Sequence, residues 1–502
     1  MKLETSKTRL TALIALILGV SFFIQFPSTQ AADWQLFSFY DPGTTIKGDI
    51  LLAKNYVPTI DFGYTHGLIP LAFGRAVFAV FGRTPFTYLG VTFFLELLMA
   101  GALARILIAL KLPRRSIFIF LAALPIAIMP AYLTFTHPLE ALLLLMALAD
   151  HAEGKRHNAL ATLALCIFVK PSMAYVYGLF LTIVILTRRA DVWAVRVRNF
   201  VPAILTFFVA FGGLALLYGV APVLHTLLPL TGAKTYAATN FGFFTPSGRA
   251  FWWTPHLIDY VCSPVGIWLI AVLGSLGIAL ALLTPKSWRG ILPSWMNARI
   301  FAHAMRSEIL LTVVGLHGAF LIGFYGWTGS WTYYSYMPML ALAILVALFP
   351  LHRVVFAAIL GLTLLGHTQH LQWSINDWRT KPRTDDGLFV YSDKLEEWNK
   401  FRGLVAGRPT LLMTHGYIPN LPANIQLPDA WFPEPGIPTP AEIRRVQKQI
   451  EEAECIIQWK QYGTLDLLHS PDFTKYRPLF RVAQTGDSMT LLERIEPSTQ
   501  TR

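Results

Sequence analysis

The sequence predicts a polytopic α-helical membrane protein with a small soluble α/β domain at its C-terminal end. Hydrophobic residues make up 54% of the 502 residues and charged residues only 14%, whereas soluble domains contain about 25% charged residues. Many apolar runs have the length of a membrane-spanning helix. After Trp373 the chain becomes polar for about 130 residues, which is enough for one small domain.

The net charge of +12 is explained by membrane topology, and no nucleic-acid partner is predicted. Most basic residues lie in short clusters between apolar runs, where they orient spans and contact anionic membrane lipids. Placing these clusters in the cytoplasm requires about eleven transmembrane helices, with a cytoplasmic N-terminus and an extracytoplasmic C-terminal domain. The predicted location is the cytoplasmic (inner) membrane of the cell envelope. The three cysteines are far apart and match neither a disulfide framework nor a metal-ligand spacing.

The first apolar run covers residues 10–26 and follows three basic residues. An uncleaved anchor is predicted, with a cleaved signal peptide as the alternative because residues 29–31 resemble a cleavage site. In both cases the next loop, residues 28–82, lies outside the cytoplasm. Within this loop the segment 66–81 is apolar but short and is interrupted by Arg75, so we predict an amphipathic helix along the outer interface.

The first outer loop concentrates carboxylates beside the membrane surface. It holds Asp33, Asp41, Asp49 and Asp61, in a chain with only 29 acidic residues. Asp41 is the first candidate for a general base, because the Pro-Gly that follows it fixes the backbone and allows a turn. An Asx-type turn is the equal alternative. Asp49, on a predicted helix over residues 44–56, is the second catalytic candidate, with a solvated helix face as its alternative.

The end of this loop carries three further candidates. Asp61 and Tyr64 are predicted to bind substrate, and His66 to bind a donor phosphate. A structural role in the turn that leads to Gly67 is the alternative for these residues.

Two predicted hairpins, residues 116–150 and 157–187, are too short to cross the membrane fully. They allow about 15 to 17 residues per helix, or about 23 to 26 Å, against a hydrocarbon core of about 30 Å. Their tips, near His137 and Lys170, are therefore predicted to end below the outer surface, around a wet recess. Lys170 needs an anion there, such as a donor phosphate or the carboxylate of Asp41, and snorkelling to the interface is the alternative.

Weaker candidates lie elsewhere in the transmembrane part. Arg249, in the outer loop 221–260, is a second candidate for donor phosphate binding. Trp331 and Tyr334 lie in an aromatic cluster, residues 327–336, which predicts either an aromatic belt or a platform that binds a sugar. Three charged residues inside apolar runs are predicted to be structural groups between helices, with a cavity-lining role as the alternative: Glu96, Arg105 and Glu140.

The C-terminal segment, residues 373–502, predicts a soluble extracytoplasmic α/β domain. A helix is predicted to begin after Thr439, which has the sequence of a capping box, and to run to residue 453. Strands are predicted at residues 410–413 and 455–459. The proline-rich loop before the helix carries Trp431 and Phe432, which either pack on the domain or contact a saccharide.

The order of the motifs resembles the GT-C superfamily of membrane glycosyltransferases. The motifs are Asp41-Pro-Gly, Val57-Pro-Thr-Ile-Asp-Phe, His66-Gly-Leu-Ile-Pro and Lys170-Pro. The similarity is to the bacterial branch related to protein mannosyltransferases and lipid A aminoarabinose transferases, and it covers about the first 190 residues. Residues 1–372 are accordingly predicted to form a GT-C-like catalytic domain.

The resemblance implies transfer of a sugar from a polyprenyl-phosphate donor to a saccharide, lipid or protein acceptor, usually with inversion. It implies Asp41 as the base and Lys170 as a ligand of the donor phosphate. Two departures from the family keep Asp49 as a rival base and weaken a phosphate role for His66: Pro42 replaces an acidic neighbour, and His66-Gly67-Leu68 replaces a Lys-Pro-Pro phrase. No cofactor is predicted, and a divalent cation stays open. A non-catalytic saccharide binder or scaffold and a transporter are the alternatives, although the chain has no repeated half.

Overall fold

The computed structural model describes most of the N-terminal part and most of the C-terminal domain. The described residues are 2–33, 41–64, 66–124, 135–187, 192–227, 308–310, 312–313, 336–348, 357–358, 360–361, 371–372, 375–384, 388–414, 417–418, 420–431, 438–459 and 472–495.

The described part before residue 373 is helical, as the composition predicts. The helices with assigned bounds are α1 Lys2–Asp33, α2 Asp41–Ala53, α3 Ile69–Phe81, α4 Pro85–Ala109, α5 Arg114–Ala123, α6 Thr136–Ala152, α7 Arg156–Cys166, α8 Pro171–Thr187, α9 Trp193–Arg198, α10 Val201–Tyr218, α11 Val220–Leu227 and α12 Tyr336–Leu348. Helix α4 packs between α1 and α6, and α7 packs on α6, α8 and α10.

Three apolar segments in the described residues are long enough to cross a membrane: Lys7–Ile24, Pro85–Ala109 and Trp193–Tyr218. The chain is therefore an integral membrane protein. The count of about eleven spans stays a prediction, because several of the predicted spans lie outside the described residues.

Polar residues inside these helices connect them, which confirms the structural role predicted for two of them. Glu96 on α4 accepts a hydrogen bond of 2.5 Å from the hydroxyl of Tyr336 on α12. Arg105, also on α4, forms ion pairs with Asp150 and, at 2.8 Å, with Glu153. Such pairing is needed where charged groups leave water.

The described helices of the two predicted hairpins are short, whereas residues 125–134 of the first hairpin lie outside the described residues. Helices α6 and α8 have 17 residues each and α7 has 11, which correspond to about 17 to 26 Å at 1.5 Å per residue. That the turn between α7 and α8 ends below the outer membrane surface stays a prediction.

The amphipathic helix predicted for residues 66–81 is observed as α3. One face is buried, including Leu71 and Phe78, while Val80 and Phe81 at its end are largely exposed. Its position at the membrane interface stays a prediction. Arg75, which interrupts the apolar run, forms an ion pair with α2.

The C-terminal domain contains a five-stranded sheet with the strand order β2-β1-β3-β5-β4. Its elements are α13 Ser392–Leu404, β1 Thr410–Met413, β2 Ile425–Gln426, α14 Pro440–Glu452, β3 Cys455–Trp459, a 3-10 helix Thr474–Leu479, β4 Phe480–Thr485 and β5 Met489–Arg494. Strand β1 pairs in parallel with β2 and β3, and β5 pairs antiparallel with β3 and β4. The two predicted strands and the predicted helix are confirmed.

The sequence of α14 explains its place in the domain. Thr439 and Glu442 form a complete capping box at its start, which satisfies backbone donors that the first helical turn leaves open. Val446 and Ile450, four residues apart, are fully buried in the core on one face of the sheet. The start of the helix is thereby directed toward the first outer loop.

Candidate functional site

Helix α2 forms the floor of the candidate site, and its residues 43–49 are buried. Gly43 contacts the C-terminal domain so closely that an added Cβ would lie 2.7 Å from the backbone nitrogen of Tyr417. Asp41 is the first residue of α2, two residues from this contact, while its carboxylate lies outside the described part of the structure. The candidate base is therefore at the end of α2 that contacts the C-terminal domain.

Both carboxylate oxygens of Asp49, the rival base, are engaged by arginines. Oδ1 lies 3.3 Å from Nη1 of Arg75, and Oδ2 lies 2.5 Å from Nε of Arg83. The carboxylate is only 3% exposed, and it connects α2 to α3 and to the segment after α3. This geometry explains the arginine inside the apolar run, and a catalytic role for Asp49 stays a prediction.

The end of the first outer loop pairs with the tip of the second short hairpin. The N–H of Gly67 donates to the carbonyl of Val169 at 3.1 Å, and the N–H of Ile69 donates to that of Phe168 at 3.0 Å. The two backbones approach so closely that a Cβ on Gly67 would overlap the carbonyl of Phe168. Two motifs about a hundred residues apart in the sequence, His66-Gly67 and Lys170-Pro, thus become neighbours.

Lys170 is at the centre of a buried polar cluster at this junction. Its Nζ lies 3.6 Å from Oε2 of Glu140, whose side chain is 1% exposed. The rings of His66 and His137 are 5.9 Å apart. Burial, and then the positive charge of Lys170, lower the pKa of His66 to about 3. His66 is therefore neutral near pH 7 and can donate one ring N–H.

An aromatic wall covers this cluster on the side of the C-terminal domain. The ring of Trp431 lies 4.8 Å from that of Tyr64 and 6.2 Å from that of His66. The indole N–H of Trp431 donates to the carbonyl of Thr44 on α2 at 3.0 Å. Trp431 is 1% exposed and packs against the first outer loop, not on its own domain as the packing alternative predicts, while Phe432 lies outside the described residues. Burial raises the pKa of Tyr64, so its hydroxyl stays protonated.

Asp61 shapes the turn in which it lies. Its Oδ2 accepts the N–H of Val57 at 2.8 Å, and the N–H of Thr59 donates to the carbonyl of Phe62 at 2.7 Å. The backbone carbonyl of Asp61 accepts a hydrogen bond from Arg445 at 2.6 Å. Asp61 therefore has the structural role given above as the alternative, and its substrate role stays a prediction.

The remaining predicted site residues, Arg249, Trp331 and Tyr334, lie outside the described residues. Among the residues that are described, no three histidine, cysteine, aspartate or glutamate side chains are arranged to hold a metal ion.

The sequence analysis missed several residues of the site. Lys170 pairs with Glu140, which is predicted as a structural group with a cavity-lining role as the alternative; the carboxylate of Asp41, the other predicted partner, lies outside the described part of the structure. The sequence predicts His137 only as the tip of a hairpin. Its position next to a proline in an apolar segment is a signal that could mark it as a site residue. Lys47 on α2 is buried, and this burial lowers its pKa to about 8. Glu442 belongs to the predicted capping box, but no residue near it in the sequence indicates its contact with the first outer loop.

The chain was compared with known structures, and two of the matches are structures of one protein. The chain is similar to the crystal structure of ArnT from Cupriavidus metallidurans in the apo state, with a TM-score of 0.45, 11% identity, and coverage of 97% of this chain and 98% of that chain. It is also similar to ArnT bound to undecaprenyl phosphate, with a TM-score of 0.39, 11% identity, and coverage of 97% and 99%.

No protein-family model and no curated protein matches the chain. The structural matches share only 11% identity with this chain, at TM-scores of 0.45 and 0.39. The activity of this chain is therefore inferred from its own residues.

Proposed function

We propose that the chain is a membrane glycosyltransferase that moves a sugar from a polyprenyl-phosphate donor to an acceptor on the outer face of the cytoplasmic membrane. The observation that carries the proposal is the backbone pairing of Gly67 with Val169. This pairing brings the first outer loop, with His66, onto the hairpin tip that carries Lys170. A neutral hydrogen-bond donor and a cation thus meet at one place, where the phosphate of a lipid-linked donor is proposed to bind.

The proposed chemistry follows from the charge of this cluster. In glycosyl transfer from a lipid phosphate, the phosphate is the leaving group and gains negative charge as the glycosidic bond breaks. The ammonium of Lys170 stabilises that charge, and the ring N–H of His66 adds a directed hydrogen bond. Glu140, 3.6 Å from Lys170, orients the ammonium between turnovers. Arg249 is a further phosphate ligand in this proposal.

Asp41 is the proposed general base, which takes the proton from the acceptor hydroxyl or amine as the acceptor attacks the sugar. Two features of α2 support this choice over Asp49. Both oxygens of Asp49 are held by arginines. Asp41 lies one helical turn before Thr44, whose carbonyl is bound by Trp431, and Trp431 contacts His66. Asp41 thus begins the helix whose first turn is held by Trp431.

The proposed donor carrier is a polyprenyl phosphate, the class to which the undecaprenyl phosphate bound to ArnT belongs. The apolar spans supply a surface for its tail, and the acceptor, a saccharide, lipid or protein, arrives from outside. Tyr64, Trp331 and Tyr334 are proposed to contact the sugar or acceptor through their rings.

The test is donor turnover by purified wild type, Asp41→Asn and Asp49→Asn. Each protein is incubated in lipid nanodiscs with membrane extracts that contain polyprenyl-phosphate sugars and acceptors, and free polyprenyl phosphate is measured by mass spectrometry. Release by wild type and loss in Asp41→Asn support the proposal. Equal release by wild type and Asp41→Asn, with loss only in Asp49→Asn, moves the base to Asp49. No release by wild type contradicts the proposal and favours a non-catalytic binder or a transporter.

A further inference from the structure

The C-terminal domain meets the first outer loop in a buried contact that we call the domain contact. It is formed by Asp429, Trp431 and Glu442 of the domain, together with α2 and residues 56–64 of the loop. A glutamate side chain is rarely fully buried unless polar partners hold it. The burial of Glu442, which is 0% exposed, therefore indicates that this carboxylate has a fixed task.

Glu442 binds three backbone N–H groups from three separate segments. Its Oε2 accepts from Gly63 and from Thr439, each at 2.8 Å, and its Oε1 accepts from Trp431 at 2.7 Å. Only the bond to Thr439 belongs to the capping box. The other two bonds join the outer loop to the loop of the C-terminal domain that carries the indole, so one side chain fixes the distance between them.

Trp431 carries this constraint into the candidate site. Its backbone is held by Glu442, its indole N–H is held by Thr44, and its ring packs against Tyr64 and His66. A displacement of Trp431 would therefore remove one wall from His66.

Charges around the domain contact are complementary. The loop side supplies Lys54, whose Nζ lies 2.6 Å from Asp429, and the hydroxyl of Tyr56 donates to the same carboxylate at 2.9 Å. The domain side supplies Arg445, whose guanidinium donates to the carbonyl of Asp61 and lies 4.1 Å from the ring centre of Tyr56. The contact is therefore specific in register and more than an apolar packing of two surfaces.

We infer that the C-terminal domain is a constituent of the site, in which Glu442 and Trp431 are positioning residues that hold the segment 57–69 against the tip of the second hairpin. The domain thus forms one wall of the candidate site. The effect on turnover rests on the proposed function, whereas the effect on segment 57–69 does not.

Glu442→Gln is a sharp perturbation because it keeps the shape and removes one acceptor oxygen. A glutamine has one carbonyl oxygen and one NH₂ group. If its oxygen serves Gly63 and Thr439, its NH₂ faces the N–H of Trp431, and in the opposite orientation it faces the other two. At least one N–H in the domain contact is then left opposite another donor.

The experiment uses the full chain in lipid nanodiscs and three variants of the domain contact: Glu442→Gln, Trp431→Phe and Trp431→Ala. Val446→Ala is the matched control, because Val446 is fully buried on the same helix but packs into the core of the C-terminal domain. Hydrogen exchange of peptides covering residues 57–69 is measured first. Binding of undecaprenyl phosphate and donor turnover are measured on the same samples.

We expect exchange in residues 57–69 to be about tenfold faster in Glu442→Gln and Trp431→Ala, and unchanged in Val446→Ala. Trp431→Phe keeps a ring against His66 and is expected to retain more of the protection. Because small misplacements of a phosphate ligand are costly, kcat/KM for the donor should fall about 10- to 100-fold in Glu442→Gln. Most of this fall should appear in KM, whereas Val446→Ala should stay within about twofold.

The outcomes distinguish the positioning role of Glu442 and Trp431 from the proposed function. Unchanged exchange over residues 57–69 in Glu442→Gln overturns the positioning role, whatever the activity. Equal acceleration in Val446→Ala and Glu442→Gln also overturns it, because the effect is then general destabilisation of the domain. Faster exchange only in the variants of the domain contact, in a protein without donor binding or turnover, upholds the positioning role and refutes the proposed function.

Discussion

Replacing Gly67 by alanine is expected to separate the first outer loop from the hairpin tip. The added Cβ would overlap the carbonyl of Phe168 and lie 2.8 Å from the carbonyl carbon of Val169. Both neighbours are backbone, so neither can move aside as a flexible side chain would. The loss of two backbone hydrogen bonds costs about 1 kcal/mol each, and overpacking costs about 1 to 3 kcal/mol. The sum, about 3 to 5 kcal/mol, shifts the equilibrium between the paired and separated loop by roughly a hundredfold or more.

The assay measures binding of undecaprenyl phosphate and the thermal unfolding midpoint of the purified protein in nanodiscs. Gly101→Ala on α4 is the matched control, because a Cβ there meets no described atom within 4 Å and alanine favours a helix. We expect Gly67→Ala to lose binding by tenfold or more and Gly101→Ala to keep it. If both variants bind and unfold alike, the backbones are not in contact and the convergence of the two motifs is refuted.

Three further results are expected. Asp49→Asn should lower the unfolding midpoint. A double-mutant cycle with Arg83→Gln should give a coupling energy of about 1 kcal/mol, a modest value because Arg83 is 44% exposed. Additive effects of the two substitutions on stability would contradict the ion pair. Lys170→Met should abolish binding of undecaprenyl phosphate and destabilise the protein by about 3 to 5 kcal/mol, because Glu140 loses its cation. The double variant Lys170→Met/Glu140→Gln should recover the stability but not the binding. If it also recovers binding, Lys170 is not a ligand of the phosphate. Because the pKa of His66 is lowered to about 3 from 6.5, the unfolded chain takes up the proton first. Stability should therefore be complete above pH 6.5 and fall by up to about 1.4 kcal/mol per unit as the pH decreases toward 3. His66→Asn should make this dependence shallower in unfolding measured against pH, because His137 remains in the same cluster; an unchanged dependence would assign it to another group.

Features of the fold with a local cause were predictable from the sequence. The capping box of α14 and the strands β1 and β3 follow from residues within a few positions of each other. The short hairpins follow from counting residues between basic clusters and comparing the length with the membrane. The amphipathic helix α3 is predicted by one arginine in a short apolar run. The partner of Arg75, Asp49, is 26 residues away and is not indicated by the neighbouring sequence.

The site was less predictable because its contacts join distant parts of the chain. The sequence predicts an anionic partner for Lys170, because a lysine inside the membrane needs an anion. The predicted depth does not identify which anion it is. Glu140 lies two positions after Pro138, at the start of a short helix, and only the packing of α6 against α7 brings it to Lys170. Glu442 satisfies its capping pattern completely, so its sequence gives no sign of a second partner.

The bond between Gly63 and Glu442 spans 379 residues, which sets an order of events during synthesis. At about 5 to 20 residues per second, roughly 20 to 75 seconds separate the emergence of the two partners. Throughout that interval the first outer loop lacks the acceptor that fixes it, while the helices beneath it have already been made. The site is therefore completed only after Glu442 has been made, and a nascent chain cannot assemble this site before its C-terminal domain has folded.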